Sequence, residues 1–173
     1  MVKVDGFSVP YRSVTISSPV QEILAEVFVE EGDTVKKGQP LAQLFDEKEQ
    51  IEFRRFEKLL EKRKFDAQAS ENLLKGNLLS KEKALAAEAE LELAQVDYDL
   101  AKTKLEEKTI KSTVDGIVIR RMVEPGESVD RIQPLIEVVN IDRLTLQFYL
   151  EPALLDRLAI GDQIPFHITD APE

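Results

Sequence analysis

The fold of this chain is decided by a segment that occurs twice. Val29-Glu30-Glu31-Gly32-Asp33-Thr34-Val35 is followed 94 residues later by Val123-Glu124-Pro125-Gly126-Glu127-Ser128-Val129. The similarity extends over residues 18–45 and 112–139, and each copy contains a Gln-Pro-Leu tripeptide. Self-similarity at one fixed offset indicates a duplicated structural unit.

Each copy is predicted to form a strand, a turn and a second strand. In the first copy the turn falls at Gly32-Asp33, since these residues interrupt an apolar pattern. The residues predicted to form the apolar face of this copy are Ile23, Val27, Val29, Val35, Leu41 and Leu44. Because one copy is too small to bury a core, we expect the two copies to pair face to face.

The 66 residues between the copies, 46–111, have a different composition. They contain no proline, a single glycine at Gly76 and many charged residues, which favours long helices over strands. A turn at about 76–80 is predicted, because Gly76 and Asn77 can end one helix and Ser80 can cap the next. The two helices are therefore expected to form an antiparallel coiled-coil hairpin roughly 40 Å long.

A repeat of 3.5 residues predicts which side chains of the hairpin face each other. In the first helix these are Phe53, Phe56, Leu60, Arg63, Ala67, Ser70 and Leu74. In the second they are Ala84, Ala87, Leu91, Ala94, Tyr98, Ala101 and Leu105, so that Phe53 is placed opposite Leu105 and Leu60 opposite Tyr98.

A second apolar stripe follows the second helix away from this seam. It consists of Leu85, Ala89, Leu93, Val96 and Leu100. The stripe either meets a neighbouring hairpin or forms mildly apolar surface, and both alternatives remain open at the level of sequence.

Both ends of the chain return to a β pattern. Phe7–Val9 at one end, and Leu144, Leu146, Phe148 and Leu150 at the other, are typical of strands. A short helix from Glu151-Pro152 to Ala159 and a strand through Ile164, Phe166 and Ile168 are also predicted. The predicted domains are the start of a β-barrel at 1–13, sandwich halves at 14–45 and 112–141, the hairpin at 46–111, and a partial β-barrel at 142–173.

Composition excludes several classes of function. Asp and Glu number 33 against 23 Lys and Arg, and the net charge of −10 argues against a nucleic-acid partner. There are no cysteines, and His167, Met1 and Met122 lack the spacing of metal ligands. No nucleophile and base stand at a motif spacing, so no enzymatic activity, cofactor or metal is expected.

Membrane and targeting signals are also missing from the sequence. No stretch approaches the roughly 20 apolar residues that span a bilayer. Residues 1–6 lack the apolar core of a signal peptide. Two alternatives follow, a cytoplasmic protein or a fragment whose targeting segment lies outside it.

The complete arrangement resembles the periplasmic adaptor family, also called membrane fusion proteins or HlyD-like proteins. The segments that carry the resemblance are Ser18-Pro19-Val20, residues 29–41, Val114-Asp115-Gly116-Ile117-Val118, residues 123–127 and residues 142–162. The lipoyl-like turn motifs contain Gly32, Asp33, Gly38, Gly116 and Gly126. At Glu22 and Ile132 the sequence departs from the family, which often has glycine there.

This resemblance implies an α+β fold, a split lipoyl-like β-sandwich with an inserted antiparallel coiled-coil α-hairpin and a partial β-barrel domain. It implies an adaptor in the periplasm, attached to the inner membrane through a segment absent from this chain. The implied partners are an inner-membrane transporter of the RND or ABC type, a TolC-like outer-membrane channel, and other copies of the chain in a ring, with a hexamer among the candidate forms.

The resemblance also implies a contact site for the channel at the hairpin tip. Family members that work with a TolC-like channel carry an Arg, Leu, Ser trio there. Leu73 and Ser80 match it, whereas Ala69 occupies the arginine position. The implied contact residues are Leu73, Leu74, Gly76, Asn77, Leu78, Leu79 and Ser80.

A lipoyl or biotinyl carrier of an enzyme complex is the competing hypothesis. Such a carrier needs an exposed lysine on a tight turn between the two halves. Lys48 is the nearest candidate, but a helical pattern follows it where a carrier has a returning strand. The sequence therefore favours the adaptor.

Overall fold

A computed structural model describes residues 6–149, 159–163 and 165. The first copy of the repeat is preceded by strand β1 and contains β2, β3 and β4, and two helices follow it. The bounds of these elements are β1 Gly6–Ser17, β2 Glu22–Val27, β3 Thr34–Val35, β4 Pro40–Leu44, α1 Glu47–Lys75 and α2 Lys81–Glu106. The remaining strands are β5 Thr109–Lys111, β6 Gly116–Arg121, β7 Ser128–Val129 and β8 Pro134–Phe148.

The strands form two four-stranded antiparallel sheets, so the chain has an α+β fold. One sheet has the order β1-β8-β6-β3 and the other β5-β4-β2-β7. In the first sheet β3, from copy one, pairs with β6 from copy two. In the second sheet β7, from copy two, pairs with β2 from copy one. Each copy therefore contributes its shortest strand to the sheet of the other.

Main-chain hydrogen bonds between the copies repeat the same exchange in both directions. The N–H of Gly32 donates to the oxygen of Val118 at 2.7 Å, and the N–H of Gly126 donates to that of Leu24 at 2.7 Å. The two donor residues are 94 positions apart in the sequence, and so are the two acceptor residues. The sequence repeat is thus an approximate two-fold symmetry of the folded domain.

Every buried residue of the hydrophobic core has a buried counterpart at the symmetry-related position. The fourteen buried members of the core form seven pairs that differ by 94 in number. The pairs are Ile16 and Ile110, Leu24 and Val118, Val29 and Val123, Val35 and Val129, Leu41 and Leu135, Ala42 and Ile136, and Leu44 and Val138. Because every pair takes one residue from each half, neither half holds a complete core alone.

One residue of the predicted apolar face was assigned wrongly. Ile23 is 47% exposed, whereas its neighbour Leu24 is fully buried. The pairing of β2 with β4 shifts register between Leu24 and Glu26, so simple alternation does not hold along β2. Val29 is buried as predicted, and Val27 is partly buried against the core.

Helices α1 and α2 pack side by side in antiparallel directions. All fourteen residues predicted to face each other are buried or half-buried, with Leu60, Ala94 and Ala101 the most enclosed. The rings of Phe53 and Tyr98 lie 5.2 Å apart, a contact that the predicted layers do not include. Arg63 also forms an ion pair with Glu90 across the helices at 2.5 Å.

The second apolar stripe lies on the surface of α2. All five of its residues are exposed in the described part of the chain, with Leu93 the most open of the four large ones at 67%. Within this one chain the stripe therefore has no helix packed over it.

The strands at the two ends of the chain pair with each other. β1 and β8 pair from Gly6 with Phe148 to Ser17 with Pro134, and both run through the predicted domain boundaries near 13 and 141. Leu150, the predicted helix at 151–159 and the strand through Ile164, Phe166 and Ile168 lie largely outside the described residues, as do Met1 and His167.

Candidate functional site

The end of α1 at the tip of the helix pair is fixed by main-chain hydrogen bonds. The N–H of Leu78 donates to the oxygen of Leu73, and that of Asn77 donates to Leu74, both at 2.9 Å. Asn77 has a left-handed backbone with φ 56°, while Gly76 has φ −81°. This is a Schellman motif in which asparagine takes the position most often held by glycine.

The start of α2 is capped by the predicted residue. Ser80 has an extended backbone, and its hydroxyl accepts a hydrogen bond from the N–H of Lys83 at 3.4 Å. Serine at this position stabilises a helix because it satisfies one of the free N–H groups of the first turn. The two helix ends thus hold residues 76–80 in a defined short loop.

The tip exposes apolar side chains on this ordered loop. Leu78 is 77% exposed and Leu73 44%, while Leu74 and Leu79 are half-buried. Gly76, Asn77 and Ser80 are exposed beside them, and Ala69 lies one turn down α1, half-buried. Two exposed leucines therefore lie among small polar groups at the tip.

The turn motifs of the sandwich are structural. Gly32, Gly38 and Gly126 have φ of 96°, 84° and 93°, a region that side chains rarely adopt. Gly116 is required for a different reason, because a Cβ there would lie 2.2 Å from the oxygen of Val139. Asp33 accepts a hydrogen bond from the N–H of Glu30 at 2.8 Å, which closes the turn.

The two departures from the family pattern have different structural roles. Ile132 occupies the place of Gly38 in the second copy and has φ 69°. Glu22 occupies the place of Gly116 in the first copy and carries an ion pair, whereas a side chain at 116 would meet the main chain of Val139. The residue types therefore differ between the two halves at both positions, but Ile132 keeps the left-handed backbone of Gly38.

Lys108, between α2 and β5, was not singled out from the sequence. Its side chain is only 7% exposed, and its ammonium lies 2.8 Å from a carboxylate oxygen of Glu22 and 3.0 Å from one of Glu49. Burial opposes its charge, but the hydrogen bonds to Glu22 and Glu49 together with the attraction of their charges outweigh burial, so the pKa of Lys108 is raised. The same hydrogen bond from Lys108 lowers the pKa of Glu22. Lys108 and Glu22 are therefore both charged at neutral pH.

Neither a metal-binding cluster nor a membrane-spanning helix occurs in the described residues. Within them, no group of three or more His, Cys, Asp or Glu side chains is arranged to hold a metal ion. No helix in the described ranges combines the length and the apolar character needed to cross a bilayer.

Comparison with known proteins assigns this arrangement to a family. The family described as "YknX, barrel-sandwich hybrid domain" matches residues 15–139, from the end of β1 to β8. The chain belongs to the membrane fusion protein family. The match includes both sandwich halves and the helix pair, and it confirms the resemblance that the sequence motifs indicated.

Solved structures of membrane fusion proteins share this fold. A chimera of MacA with the α-hairpin domain of Pseudomonas aeruginosa MexA is 19% identical, with a TM-score of 0.77 over 88% of this chain and 60% of its own. The membrane fusion protein Spr0693 of Streptococcus pneumoniae is also 19% identical, with a TM-score of 0.66 over 92% of this chain and 75% of its own.

A sequence relative shows how much of a longer protein this chain represents. An uncharacterized protein of Haemophilus influenzae is 22% identical over 95% of this chain. The chain spans 43% of the length of that relative.

The carrier hypothesis finds no support in this geometry. Lys48 lies in the first turn of α1, whereas a carrier lysine lies on a turn between two strands. Nothing in the comparisons favours a lipoyl or biotinyl carrier.

Proposed function

We propose that the chain is part of a periplasmic adaptor without enzymatic activity. It would bridge an inner-membrane transporter of the RND or ABC type and an outer-membrane channel of the TolC-like kind. The observation that carries the proposal is the ordered apolar tip, with Leu73 and Leu78 exposed at the far end of a helix pair inserted between two halves of one sandwich.

The helix pair has the dimensions of a bridging element. Helix α1 has 29 residues, which corresponds to a length of about 43 Å at 1.5 Å per residue. We propose that α1 and α2 act as an antiparallel coiled-coil hairpin whose tip, residues 73–80, contacts the channel. We expect the role of the tip to be mechanical and to depend on its shape and apolar surface.

The remaining surfaces support an assembly of several copies. The exposed stripe on α2 would face the hairpin of a neighbouring copy in a ring, with a hexamer among the candidate forms. The paired ends of β1 and β8 would belong to a β-barrel domain that faces the transporter. A segment outside this chain would attach the protein to the inner membrane.

Site-specific crosslinking in cells tests the bridging role. The chain has no cysteine of its own, so once any cysteine outside it is replaced, a photocrosslinker attached to one introduced cysteine reports a single position. In the full-length protein in its host, cysteines at Leu73, Leu78 and Ser80 should capture an outer-membrane protein.

Phe65→Cys is the matched control for this experiment. Phe65 is an apolar residue on α1, 73% exposed and away from the tip. Capture at the tip positions and not at Phe65 would support docking through the tip. Capture at Phe65 alone would contradict it.

A further inference from the structure

We propose that Lys108 is a positioning residue that sets the direction in which the helix pair leaves the sandwich. This inference deepens the proposed function and rests on it only for the consequence that the tip must reach a partner. The described structure itself supplies the geometry, in the form of one buried cation that joins three elements at the base of the helix pair.

The Lys108 side chain links both helices to the sandwich. Its ammonium contacts Glu22, the first residue of β2, and Glu49, in the first turn of α1. Lys108 itself follows the end of α2 by two residues. A single charged group therefore restrains the start of one helix and the exit of the other against the same strand.

Main-chain hydrogen bonds reinforce only part of this junction. The N–H of Leu44 donates to the oxygen of Lys108 at 2.8 Å, and that of Phe45 donates to the oxygen of Ile23 at 2.8 Å. These bonds fix where the chain enters and leaves the sandwich. They do not reach the first turn of α1, where Glu49 contacts Lys108 at 3.0 Å and Lys48 attracts Glu22 through its charge. Just before this turn, the side chain of Gln43 in β4 donates a hydrogen bond to Asp46 at 3.2 Å.

The repeat shows that this cluster accompanies the helix insertion. Ninety-four residues before Lys108 the chain has Val14, and 94 residues after Glu22 it has Gly116. The apolar and small residues occupy the end of the sandwich that carries no helices. The charged pair is thus present only where the sandwich must hold the helix pair.

A buried ion pair is better suited to fixing geometry than to adding stability. Its Coulomb attraction is largely offset by the loss of hydration, and replacement of the whole pair by apolar residues is often tolerated, whereas removal of one partner leaves the other charge unpaired. Orientation is a different matter, because a tilt of about 10° at the base moves a tip about 43 Å away by roughly 7 Å. Removal of the cluster should therefore affect the position of the tip more than the stability of the fold.

Distance measurements between two spin labels test this proposal. Cysteines at Glu82, at the base of the tip, and at Glu127, on a sandwich turn, would carry the labels, and both positions are exposed. In the unaltered chain we expect one narrow distance distribution. In Lys108→Met the distribution should broaden or shift by roughly 7 Å for each 10° of freedom gained at the base, while the helical signal of the protein is retained.

Lys104→Met is the matched control. Lys104 also pairs with a glutamate of α1, Glu52 at 3.3 Å, but this pair is exposed and links only the two helices. Its loss should leave the distance distribution unchanged. A broadening of equal size in Lys104→Met would overturn a specific role for Lys108.

A second variant decides the question if Lys108→Met does not fold. Glu49→Gln keeps Lys108 paired with Glu22 and weakens only the link to α1, and it should broaden the distribution less than Lys108→Met would. Distributions as narrow as that of the unaltered chain in both variants, or in Glu49→Gln where only that variant folds, would overturn the proposal.

The result is independent of the crosslinking test. A broadened distribution in a protein whose tip captures no outer-membrane protein would support the positioning role and contradict the adaptor function. A narrow distribution in the variants of a protein whose tip does capture an outer-membrane protein would contradict the positioning role and support the adaptor function.

Discussion

Gly38 and Ile132 occupy the same place in the two halves of the sandwich, and both have a left-handed backbone, with φ of 84° and 69°. The N–H of Gly38 donates to the oxygen of Ser112 at 2.7 Å, and that of Ile132 donates to the oxygen of Ser18 at 2.8 Å. The hydrogen bond requires this backbone in both copies. Glycine adopts it freely, whereas a β-branched residue is strained in it.

Ile132→Gly should therefore stabilise the protein. The left-handed backbone costs an ordinary residue about 1–2 kcal/mol, and glycine regains part of that after its own loss of entropy on folding. Since Ile132 is 75% exposed, little buried surface is lost. We expect the free energy of unfolding in urea to rise by about 1 kcal/mol.

Ile141→Gly is the control for this effect. Ile141 is also exposed, but it lies within β8 and does not have positive φ. Glycine there should lower the free energy of unfolding by about 0.5–1 kcal/mol. If both substitutions lower it equally, the explanation by backbone strain is wrong.

Gly116→Ala should be strongly destabilising. The added Cβ would lie 2.2 Å from the oxygen and 2.8 Å from the carbon of the Val139 carbonyl, so β6 and β8 would have to separate. We expect a loss of about 2 kcal/mol or more in the free energy of unfolding. Thermal and urea unfolding would both measure it.

Gly76→Ala provides a matched comparison at the tip. A Cβ there would come no closer than 3.6 Å to its neighbours, and φ is −81°, which alanine adopts readily. Its free energy of unfolding should stay within about 0.5 kcal/mol of that of the unaltered chain. If the free energy of unfolding fell strongly in Gly76→Ala and did not change in Gly116→Ala, the contacts described for these two glycines would be wrong.

Ala94→Leu tests the close approach of the two helices. Ala94 is 4% exposed at the contact between α1 and α2, so a larger side chain must push the helices apart or adopt a strained rotamer. We expect the free energy of unfolding to fall by about 1–3 kcal/mol. Ala86→Leu, on the exposed face of the same helix, should change it by less than about 0.5 kcal/mol. Equal effects would show that the helices are not tightly packed at Ala94.

The acid sensitivity of the protein should depend on Glu22. The hydrogen bond from Lys108 makes the pKa of Glu22 lower in the folded chain than in the unfolded chain. Its stabilising contribution is complete above the ordinary glutamate pKa of about 4.3 and is lost as pH falls through the lowered folded pKa. In Glu22→Gln the unfolding free energy should therefore fall less steeply with decreasing pH across this range.

Glu26→Gln is the control for the pH experiment, because Glu26 is an exposed carboxylate on the same strand with no ion pair among the described contacts. Unfolding free energies measured at a series of acidic pH values would give the slopes. An unchanged slope in Glu22→Gln would mean that the contact with Lys108 does not contribute to acid stability.

Much of this architecture could be predicted because the repeat and the helical period are local patterns. The 94-residue offset recovered the symmetry, and the 3.5-residue repeat placed all fourteen facing residues of the helices at buried or half-buried positions. The exchange of β3 and β7 between sheets was not predicted, since two-residue strands leave no periodic signal. Ile23 was misplaced because a register shift interrupts the alternation along β2.

The charged cluster of Lys108, Glu22 and Glu49 at the base of the helices could not be predicted from sequence patterns, for a different reason. Lys108 follows a charged helix, and burial of a lysine there depends on Glu22 and Glu49, which are distant in sequence. One signal was nevertheless present, because Lys108 and Glu22 stand where the other half has Val14 and Gly116. Glu22 lies within the similar segments and stands out there as a departure from the family pattern, and extending the position-by-position comparison beyond those segments would have identified Lys108.

The exchange of strands between the halves has a consequence for biosynthesis. At a rate of synthesis of about 5–20 residues per second, the second half of the sandwich leaves the ribosome roughly 5–20 s after the first half. Until then the first half cannot complete its sheet or its core. Helices α1 and α2 lie between the halves and depend on contacts close in sequence, so they can form within microseconds of synthesis. We expect their pairing to bring residues 45 and 108 together before the sandwich assembles. The helix pair therefore doubles as an internal folding aid that shortens the search of one half for the other.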